Sequence, residues 1–251
     1  MVSPIPRFGI VLPAKDPGLG FIPHLEHVSS LATSHSRCDV VVVDDGSGNK
    51  HPFSSTSQYG ALCITHPQNL GKGAALRTGF NHLLSSYTDT DIIGFIDADG
   101  DIPADQVFAL ARVLHESPAD VVAVVGTKRS QGSTYTAPLL RRLMSRAFSV
   151  LSESCMPTNV GDTQVGVKVF RAGFLREVLP KTSSTGFLLD VELLAAATRN
   201  DLQVGILPVD IALARHTSTV TLSAVAKMGT GLLELAARTR RGKKFRFGRS
   251  S

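Results

Sequence analysis

Two short acidic runs in this 251-residue chain each follow an apolar stretch, and both have the residue types of a cation or polar-ligand site. The first, Val43-Asp44-Asp45-Gly46-Ser47, sets two carboxylates beside a turn glycine. Asp, Gly and Ser also build ordinary turns and helix caps, so this run alone admits either use. The second, Phe95-Ile96-Asp97-Ala98-Asp99-Gly100-Asp101, gathers three acids directly after an apolar segment. Oxygen ligands of this kind suit Mg²⁺ or Mn²⁺, and a cation so held offsets the charge of a diphosphate leaving group. A bare D-x-D spacing arises by chance in an aspartate-rich chain, and Asp89-Thr90-Asp91 is read as such a match. Asp97, Asp99 and Asp101 differ because they crowd one strand end, where like charges repel unless a cation offsets them. They are the candidate metal ligands. Between the two acidic runs, Asn69-Leu70-Gly71-Lys72-Gly73 opens a helical segment whose backbone N–H groups, with Lys72, suit a phosphate. Gly73 stands where a P-loop needs Ser or Thr, which argues against an ATPase.

The elements that must position these residues are legible as alternating apolar runs. Strands are expected at Phe8–Leu12, Val40–Val43, Ala61–Thr65, Ile92–Ile96, Val121–Val125, Val165–Phe170 and Val204–Val209. Helices with three- and four-residue apolar spacing are expected at Phe21–Leu31, Ala74–Ser85, Gln106–His115, Leu139–Ser152 and Leu188–Arg199. That alternation predicts an α/β fold: a doubly wound, mostly parallel sheet flanked by helices. Ligands of such sheets bind beyond the carboxyl ends of the strands, where both acidic runs fall. Ser130–Ala137, polar and ended by Pro138, is expected to be a mobile loop near the site.

Composition narrows the rest. With 43% hydrophobic residues the chain can bury one full core, and a single domain is expected. Cys38, Cys63 and Cys155 are odd in number and lack C-x-x-C spacing, so they read as reduced thiols of a cytoplasmic protein. Neither a signal peptide nor a membrane-spanning run is expected. The formal charge of +5 is local: seven basic residues lie between Arg238 and Ser251, and the body is mildly acidic. Nucleic acid is therefore not an expected partner. The chain divides into a body, 1–220, and a segment, 221–251, in which a helical apolar stripe from Leu222 to Ala236 precedes the basic tail with Phe245 and Phe247. Such a segment suits an anionic membrane surface, placing the protein at the cytoplasmic face, and equally suits a helix packed on the body with a solvated tail.

Taken in order, Val11-Leu-Pro-Ala14, Val43-Asp-Asp-Gly-Ser47, Asn69-Leu-Gly-Lys-Gly73, Asp97-Ala-Asp99, Gly161-Asp-Thr-Gln164 and Phe187-Leu-Leu-Asp-Val-Glu192 resemble family 2 glycosyltransferases of the GT-A, Rossmann-like type. The resemblance is strongest to dolichyl- or polyprenyl-phosphate glycosyltransferases, and Asp162-Thr-Gln-Val-Gly-Val-Lys-Val-Phe170 points to the glucosyl branch rather than the mannosyl one. It implies that Pro13, Ala14, Asp44, Asp45, Gly71, Lys72 and Asp97 hold a nucleotide-sugar donor, UDP-glucose before GDP-mannose, with Asp97, Asp99 and Asp101 around Mg²⁺ or Mn²⁺. Asp99 and Asp162 would be the catalytic acids. Because a lipid phosphate is already anionic at neutral pH, Asp162 would orient the nucleophile more than deprotonate it. Arg129, Arg142, Arg146 and Gln164 are the candidate contacts for the acceptor phosphate. Two departures bear on that acceptor. Lys15-Asp16-Pro17-Gly18 stands where relatives carry Asn-Glu-Glu, and Thr217-Ser-Thr-Val220 replaces a Ser-Lys-Val, leaving Lys128, Arg215 or His216 to supply positive charge. A soluble phosphorylated acceptor is the alternative to a lipid phosphate. A nucleotidyltransferase would begin with a glycine-rich basic loop that Pro13-Ala-Lys-Asp-Pro17 does not provide, and the intact acids argue against a catalytically silent binding protein.

Overall fold

The computed structural model describes residues 6–35, 37–48, 51–128, 165–186 and 188–211. Strands β1 (Phe8–Ala14), β2 (Cys38–Asp44), β3 (Leu62–Thr65), β4 (Ile92–Ile96), β5 (Val121–Lys128), β6 (Val167–Arg171) and β7 (Gln203–Val209) form one sheet in the order β3-β2-β1-β4-β6-β5-β7. All neighbours pair in parallel except β6, which runs antiparallel to β4 and β5. Among the described residues the α-helices are α1 (Phe21–Ser34), the short α2 (His51–Ser54), α3 (Lys72–Leu84), α4 (Asp105–Glu116), α5 (Ala172–Val178) and α6 (Leu189–Arg199).

Successive strand residues point to opposite faces, and here both faces are covered. Ile10, Leu12, Val40 and Val42 pack with Phe21, Leu25 and Val28 of α1 and with Val107, Leu110 and Leu114 of α4. Val11, Val41, Val43 and Phe95 pack on the other side with Leu76, Phe80 and Leu83 of α3, Leu175 and Val178 of α5, and Leu193 and Leu194 of α6. This is why the strands read as continuous apolar runs instead of alternating ones. Each such side chain fully withdrawn from water contributes about 1.5–3 kcal/mol before chain entropy is charged against it.

All seven expected strands are present, with shifted ends. β5 continues to Lys128 because β7 pairs with it as far as Lys128↔Val209. β6 starts at Val167, two residues late, because the Gly166 carbonyl accepts from the Asp97 backbone N–H (2.9 Å) at the turn into the sheet. Helix α5 was not expected; it follows β6 directly and is only 7 residues long. The expected loop 130–137, the helix 139–152 and the segment 221–251 lie outside the described residues.

Candidate active site

The carboxyl ends of β1, β2 and β4 lie side by side, and this rim carries the acidic runs. At β2, Asp44 is fully buried, and its Oδ1 accepts the Ser47 backbone N–H at 2.8 Å. Asp45, also buried, takes one bond from the His66 ring at Nδ1 (2.8 Å) and one each from the backbone N–H of Leu70 (2.9 Å) and Gly71 (2.8 Å). The His66 ring reaches on to the Thr78 hydroxyl at 2.9 Å. A carboxylate with three donors is a rigid strut, so Asp45 fixes the 69–71 turn against β2. Asp16 ties in the first loop: its N–H donates to Ser47 Oγ (2.8 Å) and its Oδ1 accepts from the Gly48 N–H (2.7 Å). Pro13 and Ala14 sit at this rim opposite Val43 and Asp44.

The 71–73 turn is held from the far side as well. Gly71 has φ +99°, and a Cβ there would stand 2.6 Å from the Thr185 carbonyl oxygen. Ala74 donates its N–H to that oxygen at 2.9 Å, while Arg77 donates to the carbonyls of Leu179 (2.7 Å) and Thr182 (3.1 Å). Glu192 folds the strap itself, accepting the backbone N–H groups of Ser183 (3.2 Å) and Ser184 (3.0 Å). Thus two distant carboxylates, Asp45 and Glu192, clamp the start of α3 from opposite sides and set where Lys72 can reach.

Lys72 reaches Asp97. Its ammonium stands 2.5 Å from Asp97 Oδ1, a buried oxygen. The opposite side of that carboxylate lies against Gly166, where any Cβ would collide with it. Burial pulls the Lys72 pKa down, but Asp97, Asp190 and Asp99 outweigh that effect and raise it above the ordinary lysine value. Asp99 is exposed, and its Oδ1 accepts the Asp101 backbone N–H at 3.0 Å. Asp97 and Asp99 therefore share one rim, which fits a hard cation that takes one or two protein carboxylates and completes its shell with water and phosphate. Among the described residues no three carboxylate, imidazole or thiol groups converge as a metal cluster.

Residues 25–179 match Glycosyl transferase family 2. The chain belongs to this family. A dolichyl-phosphate beta-glucosyltransferase of Saccharomyces cerevisiae is 27% identical over 199 residues, covering 69% of this chain and 57% of that protein. A Trichomonas vaginalis enzyme of the same description is 25% identical over 204 residues, covering 79% and 61%. The family 2 chain thus spans about three-fifths of the length of the curated relatives it matches. Crystal structures of glucosyl-3-phosphoglycerate synthase from Mycobacterium tuberculosis superpose on it, one with Mn²⁺, UDP and glucosyl-3-phosphoglycerate at TM-score 0.66 and 17% identity, covering 93% of this chain and 79% of that one. A second, with Mn²⁺, UDP-glucose and phosphoglyceric acid, has TM-score 0.68 and 16% identity. The fold is GT-A.

In this family 2 chain the structure brings Pro13, Ala14, Asp44, Asp45, Gly71, Lys72, Asp97 and Asp99 to one rim, as expected from their motifs. Asp162, Gln164, Arg129, Arg142 and Arg146 lie outside the described residues. Asp89-Thr90-Asp91 is on the opposite edge of the sheet, where Asp91 accepts the N–H groups of Arg7 (2.8 Å) and Thr88 (2.7 Å). Two residues beneath or beside the rim were given no role from the sequence, although one of them, Lys168, stands in the Asp162–Phe170 string. Lys168 of β6 is 1% exposed and donates to Asp190 Oδ2 (2.7 Å) and the Val165 carbonyl (2.9 Å). The ammonium groups of Lys72 and Lys168 each lie 5.3 Å from the centre of the Phe95 ring. His24 of α1 is buried beside the Asp97–Asp99 loop with Nε2 unpartnered, and its burial lowers the imidazole pKa against the pull of Asp99 and Asp97. A lone lysine inside Val165-Gly-Val-Lys-Val-Phe170 was the available signal for Lys168; nothing local marks His24.

Proposed function

We propose that this chain is an inverting hexosyltransferase that moves glucose from UDP-glucose to a polyprenyl- or dolichyl-phosphate acceptor. The observation that carries the reading is the Asp97 carboxylate at the GT-A rim, in the same loop as Asp99 and paired with Lys72. Asp97 and Asp99 would hold Mg²⁺ or Mn²⁺, which when bound offsets the charge of the departing nucleoside diphosphate. Lys72 supplies a second positive charge toward that diphosphate. Pro13, Ala14 and the Asp44–Asp45 loop border the nucleotide, with Asp45 acting chiefly by holding the 69–71 turn. Asp162 aligns the acceptor oxygen for in-line attack, and Gln164 with Arg129, Arg142 and Arg146 receives its phosphate. The dolichyl-phosphate beta-glucosyltransferases among its relatives support the lipid acceptor.

The soluble-acceptor reading has one observation of its own. The structures that superpose over most of the chain include a glucosyl-3-phosphoglycerate synthase crystallised with the small molecule phosphoglyceric acid. The deciding experiment incubates the protein with UDP-glucose and GDP-mannose, Mn²⁺ or EDTA, and polyprenyl phosphate or 3-phosphoglycerate. Metal-dependent glucosyl polyprenyl phosphate is the expected product. Transfer to phosphoglycerate alone would replace the acceptor assignment, and no turnover of either donor would overturn the transferase reading.

A further inference from the structure

Stability alone gives little reason for the buried pair of Lys168 and Asp190, because two apolar side chains in its place would often hold a fold as well. What an apolar side chain cannot do is donate. The Lys168 ammonium bonds the Val165 carbonyl (2.9 Å) and Asp190 Oδ2 (2.7 Å), so it ties the turn before β6 to the first turn of α6. Val165 is itself buried, where a carbonyl left without a partner is costly. Phe95 of β4, the register partner of Lys168, sets its ring 5.3 Å from the same ammonium and closes a further side.

Gly166 carries this restraint to Asp97. β4 and β6 pair as far as Ile96↔Val167, and just past that point the Asp97 backbone N–H donates to the Gly166 carbonyl at 2.9 Å. The Gly166 main chain borders the Asp97 carboxylate so closely that a Cβ would collide with Oδ2. Oδ1 is buried against Lys72 while the side chain is 31% exposed, so Oδ2 is the oxygen open to a ligand. Main chain at Gly166 therefore bounds the ligand-facing oxygen, and Lys168 holds that main chain one residue away.

We propose that Lys168 is a positioning residue for the metal site: through the Val165 carbonyl it holds Gly166 against Asp97 and so fixes how Oδ2 is presented to a cation. This rests on the reading of Asp97 as a metal ligand. It gives the buried pair a task besides stability, with Asp190 keeping the ammonium aimed at Val165.

The test compares the full chain as wild type, Lys168→Met, Lys168→Met with Asp190→Leu, and Gly166→Ala. The double variant exchanges both partners for apolar groups so that stability stays near wild type, and thermal melts confirm the match; Lys168→Met alone decides if the double variant does not fold. Hydrogen exchange at the Asp97 amide, read by mass spectrometry with electron-transfer fragmentation, needs no ligand. It should be about tenfold faster or more in both Lys168 variants, while the β1 amides of the double variant exchange as in wild type. Mn²⁺ binding, followed by electron paramagnetic resonance with UDP in every sample, should weaken by about tenfold or more in both. Gly166→Ala, which pushes the Asp97 carboxylate aside directly, should show the same loss of Mn²⁺. Asp97 exchange or Mn²⁺ binding as in wild type in the folded Lys168 variant would refute the positioning role, and the metal reading would then stand on wild type and on Gly166→Ala. A wild type that binds no Mn²⁺ would overturn the metal reading and this role with it.

Discussion

Replacing Asp190 with alanine removes the carboxylate that holds Lys168 deep under the site. The lysine side chain is 1% exposed, so its ammonium cannot reach water without opening the sheet face beneath Phe95. One hydrogen bond to the Val165 carbonyl remains, and a buried charge left without its partner costs about 3–5 kcal/mol. The reverse truncation, Lys168→Met, should cost less than half as much. Asp190 is 13% exposed, still accepts the Val191 N–H at 2.9 Å, and sits in the first turn of α6, where the helix dipole favours a carboxylate by about 0.3–1 kcal/mol. Replacing both, as Lys168→Met with Asp190→Leu, should return to within about 1 kcal/mol of wild type, since buried pairs exchanged for apolar groups are often neutral. Urea unfolding followed by far-ultraviolet circular dichroism measures all four proteins, with matching slopes required for comparison. In a thermal melt the Asp190→Ala loss corresponds to about 6–20 °C. An Asp190→Ala variant within about 1 kcal/mol of wild type, or a double variant as unstable as that single one, would refute the view that Lys168 is sealed and depends on this carboxylate.

Asp99→Asn should reduce sugar transfer by more than about tenfold, equivalent to about 1.4 kcal/mol of barrier, while the melting temperature changes little, because this acid is exposed; a milder loss would remove it from the metal site. EDTA should suppress activity and Mn²⁺ or Mg²⁺ restore it, and full activity in metal-free buffer would contradict the cation assignment. Burial, aided by Asp39, pushes the Cys38 thiol from 9.0 up to about 12, so at pH 8.5 the folded chain should be alkylated there at least about tenfold more slowly than the unfolded chain, as read by peptide mass spectrometry. The sign follows from the raised pKa: between 9.0 and about 12 the unfolded thiol ionises and the folded one does not, so this group's contribution to stability is lost as pH rises through that window. Ending the chain after Ala237 removes the seven basic residues of the tail, which at about 1 kcal/mol each should abolish low-salt binding to anionic vesicles; equal co-sedimentation of both forms would exclude the tail as an anchor.

The sheet was legible because β1, β2, β4 and β5 are covered on both faces, which writes them as unbroken apolar runs flanked by turn residues. Helix α5 was not, since seven residues give too little periodicity and no side chain caps its start after Arg171. The rim could be read from Asp97-Ala-Asp99 and Asp44-Asp45, whose positions after strands announce them. What each carboxylate does there could not. The Asp45 oxygens are committed to His66 and the 70–71 backbone, partners more than twenty residues downstream. The glycines around Lys72 read as a phosphate turn, yet Gly71 and Gly73 are also required by the close approach of Thr185 and Gly186, more than a hundred residues away. Such obligations arise only when the chain is folded.

The reversed direction of β6 bears on how such a protein can change its substrate. The chain leaves the sheet at Lys128, on the carboxyl rim, and re-enters at Val167 on the same rim, because β6 runs against its neighbours. Residues 129–164 are therefore attached at both ends to the carboxyl rim, the second next to Asp97, while Pro13, Asp44, Asp45, Lys72 and Asp97 itself are supplied by the strands and turns that precede them. Evolution or an engineer could vary that interval in length and in sequence without changing where the chain leaves and re-enters the sheet. The relevant graft is one that joins ahead of Gly166 and keeps that glycine against the Asp97 carboxylate.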